Sequence, residues 1–227
     1  LSVLDYAILV ISASDGVTNY TKTLWNLLKR HNVPVFIFVN KMDTVGANKV
    51  QVLDDIQTNL SQNSVDFSKI DDNFYENIAA SDDELLEKYL NDNRIEDTDI
   101  QDLIEKRKVF PIYFGSALKL TGISEFLTSL DQWTKETDLG KDFAARCFKI
   151  THDKNGERLT WLRVLGGELK AKSELNHEKV NQLRVYNGEK FTTVASIGAS
   201  EIVAATGLTK TYPGEGFNTS DALNATL

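Results

Sequence analysis

The chain has 227 residues, 41% hydrophobic and 26% charged, which is globular composition with material for one large domain or two modest ones. Its formal net charge of −8 argues against a general polyanion binder, and its single cysteine, Cys147, excludes an internal disulfide and fits a reducing compartment, most simply the cytoplasm. No apolar run reaches the roughly 18 residues of a bilayer span, and the histidines His31, His152 and His177 are far apart with no cysteine companions, so no metal-ligand pattern is present.

The charge is uneven. Residues 44–110 hold 16 acids and 7 bases, a local net of −9, whereas the remainder holds 17 acids and 18 bases. The acidity sits in one segment; the rest is near neutral and free to meet RNA, although nothing in it demands that. The N-terminus lacks a basic region ahead of its apolar stretch, unlike a signal peptide, and lacks a methionine, so the chain reads as a piece of a longer protein.

In chain order, "YAILVIS" (6–12) is a continuous apolar run of strand length, the pattern of a strand covered on both faces in a parallel sheet. Asp15-Gly16 signals a turn. A helix is expected over 20–31, with Leu24, Leu27 and Leu28 at helical spacing and Lys29, Arg30 and His31 at the negative end of its dipole. Pro34 marks the exit, and 35–39 is the next buried strand, which completes a βαβ unit. Further helices are expected over 48–60, in "SDDELLEKYL" and in "IEDTDIQDLIEKRKV". In the second of these, Ser81 and Glu84 have capping-box spacing and Leu85, Leu86, Tyr89 and Leu90 would lie inward. In the third, Ile100, Leu103 and Ile104 share a side. "VFPIYFGSA" is a third buried strand, ending at Gly115-Ser116. Gly122 then precedes a helix with Ile123, Phe126, Leu127, Leu130 and Trp133 in one stripe.

After about Gly140 short alternating segments appear, separated by Asn155-Gly156, Gly166-Gly167 and Asn187-Gly188. This predicts an all-β region, most simply a small barrel, with the boundary between Thr137 and Phe143. The expected division is 1–139, carrying an acidic helical insertion over 44–110, and 140–227.

In an open α/β sheet, ligands bind beyond the carboxyl ends of the strands. Asn40 to Asp43, "NKMD", and Gly115 to Ala117 each follow a buried strand directly. A carboxylate only accepts hydrogen bonds. Guanine offers two adjacent donors, its ring N1–H and 2-amino group, whereas adenine presents an acceptor at N1. Asp43 therefore suits guanine. Asn40 can reach the O6/N7 side or brace the neighbouring loop, the stem of Lys41 can lie across the base, and Ser116-Ala117 can offer a backbone N–H to O6. A buried carboxylate left unpaired by the wrong base costs on the order of a few kcal/mol. The competing reading is a plain turn, since Asn and Asp are common turn formers.

"NKMD" and "GSALK" look like the two base-recognition motifs of GTP-binding proteins, and "LDYAILVISASDGVTNYTKTLWNLLKRHNVPVFIFVNKMD" resembles the translational GTPases, the elongation factor G group in particular. "LTWLRVLGGELKAKSEL", "VNQLRVYNGEKFTTV" and "EIVAATGL" are similar, in order, to that group's second domain. The resemblance implies an α/β plus all-β fold: a partial P-loop GTPase domain, Rossmann-like and lacking its N-terminal part, followed by a Greek-key β-barrel. It implies guanine contacts from Asn40, Lys41, Asp43, Ser116, Ala117 and Leu118. It also implies GTP or GDP as cofactor, Mg²⁺ in the intact protein with ligands outside this chain, and no catalytic residue here. Its partner would be the ribosome, both rRNA and ribosomal proteins, with neither membrane nor DNA. Barrel loops would face the small ribosomal subunit, making Arg158, Arg163 and Lys170 candidate phosphate contacts.

Within the group, "DDELLEKYL" and "KVNQLRVYNGEKFTTV" look most like the ribosomal protection proteins of tetracycline resistance. Elongation factor G-like translocation and a non-hydrolysing ribosome-interaction scaffold remain the alternatives. No G-x-x-x-x-G-K-[ST] loop occurs, and the switch threonine, the D-x-x-G loop and the histidine after it, which the family places upstream, are absent too. The expectation is that this chain alone does not hydrolyse GTP. The acidic segment reads as a solvated helical face or as a docking surface for a ribosomal stalk protein. Cys147 reads as core, and Trp161, Tyr186 and Phe191 as cross-strand packing or as an RNA-stacking set. Residues 153–156 read as a hairpin turn.

Overall fold

The first apolar run becomes strand β1, Ala7–Ser12; helix α1, Asn19–Arg30, returns the chain; and β2, Val35–Asn40, pairs with β1 in parallel, Ile8 beside Phe36 and Val10 beside Phe38. This is seen in a computed structural model that describes residues 3–92, 94–136 and 139–218. The described residues fall into two compact units, Val3–Glu136 and the residues from 139 onward, so the predicted boundary region at Thr137 lies partly outside them.

The rest of the first unit follows as α2 (Lys49–Asn59), β3 (Ser64–Asp66), α3 (Asp72–Ala79), α4 (Asp83–Asp92), α5 (Asp97–Glu105), β4 (Phe110–Phe114) and α6 (Ile123–Trp133). The four strands are all parallel, in the order β1-β2-β4-β3. Side chains alternate across β2. Phe36 and Phe38 enter one core with Phe74, Ile78, Ile100 and Trp133, while Val35, Ile37 and Val39 enter the other with Trp25, Leu28, Val52 and Ile56. None of the five apolar residues of β2 is more than 4% exposed, and each such side chain contributes about 1.5–3 kcal/mol on burial.

Several helix starts are set by side-chain caps. Thr18 exchanges a capping box with Thr21, Asn48 Oδ1 accepts from the Val50 and Gln51 amides, and Asp71 accepts from Phe74 N.

Four expectations need correction. β1 is covered on one face only: Leu9 and Ile11 are buried, but Ile8 and Val10 are 48% and 57% exposed. They share a face with Phe36 and Phe38, and the helices that cover that face lie over β2, β4 and β3. The cap of α4 comes from Asp82, whose carboxylate accepts from Leu85 N, while the Ser81 hydroxyl turns back to the Ile78 carbonyl. Leu86 and Leu90 point outward from α4, as does Leu127 from α6, because each is turned by about 100° or more around the helix from the buried Leu85 or Phe126. Finally, β3 and α3 were not foreseen. A three-residue edge strand with one apolar side chain carries no readable period.

The second unit is antiparallel, built from β5 (Ala144–His152), β6 (Arg158–Gly166), β7 (Glu168–Lys170), β8 (Glu174–Leu175), β9 (Glu178–Lys179), β10 (Gln182–Asn187), β11 (Lys190–Val194), β12 (Ser196–Gly198), β13 (Ile202–Thr206) and β14 (Gly216–Phe217). Six strands form one sheet in the order β11-β10-β13-β6-β5-β14, and β7 pairs with β12 and β8 with β9 as separate ribbons. Leu162, Val164, Leu183 and Val203 from the sheet meet Leu169, Leu175 and Ile197 from the ribbons in one core. Cys147 is fully buried there, and burial pushes its thiol up to about 11. The turn at 153–156 joins β5 to β6, with Gly156 at φ +81° and the Asp153 carboxylate accepting from the Asn155 and Glu157 amides.

Candidate functional site

The carboxyl ends of β2 and β4 are neighbours in the sheet, so the two loops that follow them meet. The link is Asn40. Its Oδ1 accepts from Lys41 N at 2.8 Å and from Ala117 N at 2.9 Å, a contact between residues 77 positions apart. Of the two roles open to Asn40 in the sequence, bracing the neighbouring loop is the one its carbonyl performs.

Lys41 then adopts φ +64°, a left-handed conformation that turns the chain sharply. The turn lets Met42 N donate to the Gly115 carbonyl at 3.0 Å, and the Met42 side chain packs back against the core beneath β2. An apolar residue is therefore wanted at the third position of "NKMD", and Asp43 is left facing out beside the second loop.

That second loop begins at Gly115, whose N–H donates to the Val39 carbonyl at 2.9 Å. A Cβ there would lie 2.3 Å from the Thr121 carbonyl oxygen and 2.9 Å from the Phe38 ring, so only glycine fits. Ser116 and Thr121 exchange both backbone hydrogen bonds, at 2.9 and 3.1 Å, and pinch the loop shut. Its tip is exposed, with Leu118 at 89%. Ser116 itself is buried; its hydroxyl accepts from Lys119 N at 3.2 Å and lies beside the Asp43 carboxylate.

The Ser116 hydroxyl, with the Lys119 ammonium 3.7 Å away, holds the Asp43 carboxyl below the usual carboxylate range. Asp43 is thus a fixed anion whose remaining lone pairs can take two parallel donors. Lys119, the last residue of "GSALK", joins the site although the sequence gives no reason to single it out. The structure brings Asn40, Lys41, Asp43, Ser116, Ala117 and Leu118 to one sheet edge; the Ala117 N–H, foreseen as a donor to a base, is directed at Asn40.

The three basic residues foreseen as phosphate contacts fare differently. Arg163 is 5% exposed and has no open face for a phosphate, and Arg158 donates to the Thr211 carbonyl within its own unit. Both sit on β6. Lys170 keeps its ammonium at the surface, 3.3 Å from Glu168. Trp161, Tyr186 and Phe191 form a ladder across β6, β10 and β11 with centroids 5.1 and 5.2 Å apart, and the Arg184 guanidinium lies 4.6 Å over Phe191.

The parallel sheet thus gathers its two polar loops at one carboxyl edge, and residues 1–136 match the family described as the elongation factor Tu GTP binding domain. The chain belongs to that family. Residues 142–220 match elongation factor G domain 2. Among curated relatives, the chain is 29% identical over 212 residues to tetracycline resistance protein TetS of Listeria monocytogenes and 30% identical over 212 residues to TetM of Ureaplasma urealyticum; each alignment covers 86% of this chain and 33% of the relative. TetP of Clostridium perfringens is 26% identical over 246 residues, covering 95% and 38%. The chain therefore spans about a third of the length of these relatives. A crystal structure of a Thermus thermophilus protein shares the fold, with a TM-score of 0.79 at 17% identity over 95% of this chain and 40% of that one.

Proposed function

We propose that this chain carries the base-recognition half of a GTP site and the following barrel domain, divided near residue 139, of a translational GTPase that protects the ribosome against tetracycline. The observation that carries the reading is the strap from Asn40 to Ala117, with Ser116 holding Asp43 beside it. It joins the two loops into one rim on which a carboxylate meets the N1–H and 2-amino donors of guanine. Asn40, Lys41, Ala117 and Leu118 then order, cover and flank that base.

GTP or GDP is the ligand. The phosphates and the Mg²⁺ that accompanies them call for a G-x-x-x-x-G-K-[ST] loop, a motif these 227 residues do not contain. This chain's contribution is selection of the base. In the intact protein, GTP-dependent binding to rRNA and ribosomal proteins would dislodge the drug, with Lys170 as the surface cation of the barrel retained for a phosphate contact. The similarity to tetracycline resistance proteins across most of the chain supports this over translocation.

Two measurements test it. Competition against a fluorescent GDP analogue on the intact protein should show GDP displacing it and ADP failing. Expression of the complete reading frame in a sensitive strain should permit growth in tetracycline. No protection alongside intact guanine selectivity would leave an elongation factor G-like activity; equal binding of ADP would overturn the site itself.

A further inference from the structure

The opposite edge of the same sheet holds a second cavity, of about 360 Å³, remote from the guanine rim by the length of β2, roughly 20 Å. Trp25 of α1 and Phe110, which opens β4, form its wall, edge to face with centroids 4.6 Å apart. Two cations line it. The Arg107 guanidinium lies 5.2 Å over the Trp25 ring and 5.1 Å over Phe110, and one of its N–H groups donates to the Val33 carbonyl. Lys29, an exposed residue, lines it together with Asn32, Leu60 and Ser61.

Two features mark this as a site and not merely a packing gap. No acidic residue lines it, although Arg107 belongs to a segment with 16 acids against 7 bases. Among the described residues neither Arg107 nor Lys29 has a carboxylate partner, whereas Lys49, Lys88, Lys108 and Lys135 of the same unit all do. Arg107 follows the C-cap residue Lys106 at φ +56°, the left-handed position that ends α5, with Lys108 N donating back to the Leu103 carbonyl. A half-buried guanidinium without an anion keeps donors in reserve, and its planar fork suits a carboxylate or phosphate. The volume is that of a small-molecule site.

We propose that this cavity binds a small organic anion: a phosphate or carboxylate group held between Arg107 and Lys29, carried on a flat apolar body that packs toward Trp25 and Phe110. The reading is independent of guanine recognition.

The test is an NMR titration of the full chain with phenyl phosphate, following the Trp25 indole N–H. A saturable shift at Trp25, with the Trp133 and Trp161 indoles unmoved, is expected. Inorganic phosphate should bind about tenfold more weakly, since it lacks the apolar contact. Lys29→Gln, an exposed change that leaves the fold intact, should weaken phenyl phosphate by about three- to tenfold. Arg107→Lys keeps the charge but loses the fork and should weaken it further. Absence of a saturable shift at millimolar phenyl phosphate, equal affinity for inorganic phosphate, or an unchanged titration in Lys29→Gln would each overturn the proposal. Asp43→Asn should leave the Trp25 titration unchanged, which separates this site from the guanine rim.

Discussion

Asn40→Ala removes the side chain whose carbonyl accepts from the backbone of both loops, Lys41 N and Ala117 N. Two hydrogen bonds are lost, at 2.8 and 2.9 Å, each worth about 0.5–1.5 kcal/mol net. Lys41 and Ala117 are exposed, so water takes over their N–H groups and the loss falls toward the lower end. The total comes to about 1–2 kcal/mol. Most of it is local, and the sensitive probe is amide exchange at Ala117 measured by NMR. Exchange there should quicken by about 5- to 30-fold, the factor that corresponds to this free energy. Guanine-nucleotide affinity of the intact protein should fall by a similar factor, because binding must then order loops that Asn40 had already joined. Asn40→Asp supplies the control: its carboxylate still accepts both N–H groups, so protection at Ala117 should survive. If Ala117 exchanges no faster in Asn40→Ala, or if Asn40→Asp loses protection as fully as alanine does, the bracing role is wrong.

Asp43→Asn should exchange guanine preference for xanthine, whose 2-oxygen accepts from the new amide; competition binding with GDP and xanthosine diphosphate reads this directly, and an intact GDP preference would remove Asp43 from base recognition. The pH profile follows from the same carboxylate. Ser116 and Lys119 hold its folded value below 3.8, so the charge that guanine needs, and the stability these contacts lend, are present above that value and lost as pH falls through the depressed one. GDP affinity should be flat through neutrality into mild acid and drop only below about pH 4; a midpoint near pH 6 would point to another group. Gly115→Ala forces a Cβ to within 2.3 Å of the Thr121 carbonyl, an overpacking that should cost about 1–3 kcal/mol and lower the thermal midpoint of the first unit; an unshifted midpoint would mean the loop relaxes freely.

The buried strands and the two polar loops that follow β2 and β4 were legible in the residues. β2 and β4 are apolar without interruption because both faces are covered, and that pattern survives without knowing by what. Polar residues at the end of such a run mark where the chain leaves the core, so "NKMD" and "GSALK" could be placed at strand ends and given chemistry. Helices with a clear apolar stripe, such as that of Ile100, Leu103 and Ile104, were readable for the same reason.

Periodicity names a face but not what lies against it. Ile8 and Val10 look like core residues and are exposed, since on their face the helices reach only the strands beyond β1. Arg163 reads as a surface cation and is buried, because a strand's alternation does not say which of its two faces is covered. Insertion of β4 between β2 and β3 decides that the two loops meet at all. Whether the Asn40 carbonyl faces a base or a neighbouring loop depends on a contact between residues 77 apart, and side-chain hydrogen bonds across such distances leave no local trace. The types of residue and their chemistry were settled by the chain itself; which partners they meet, and so which atoms remain free for a ligand, was settled only by its folding.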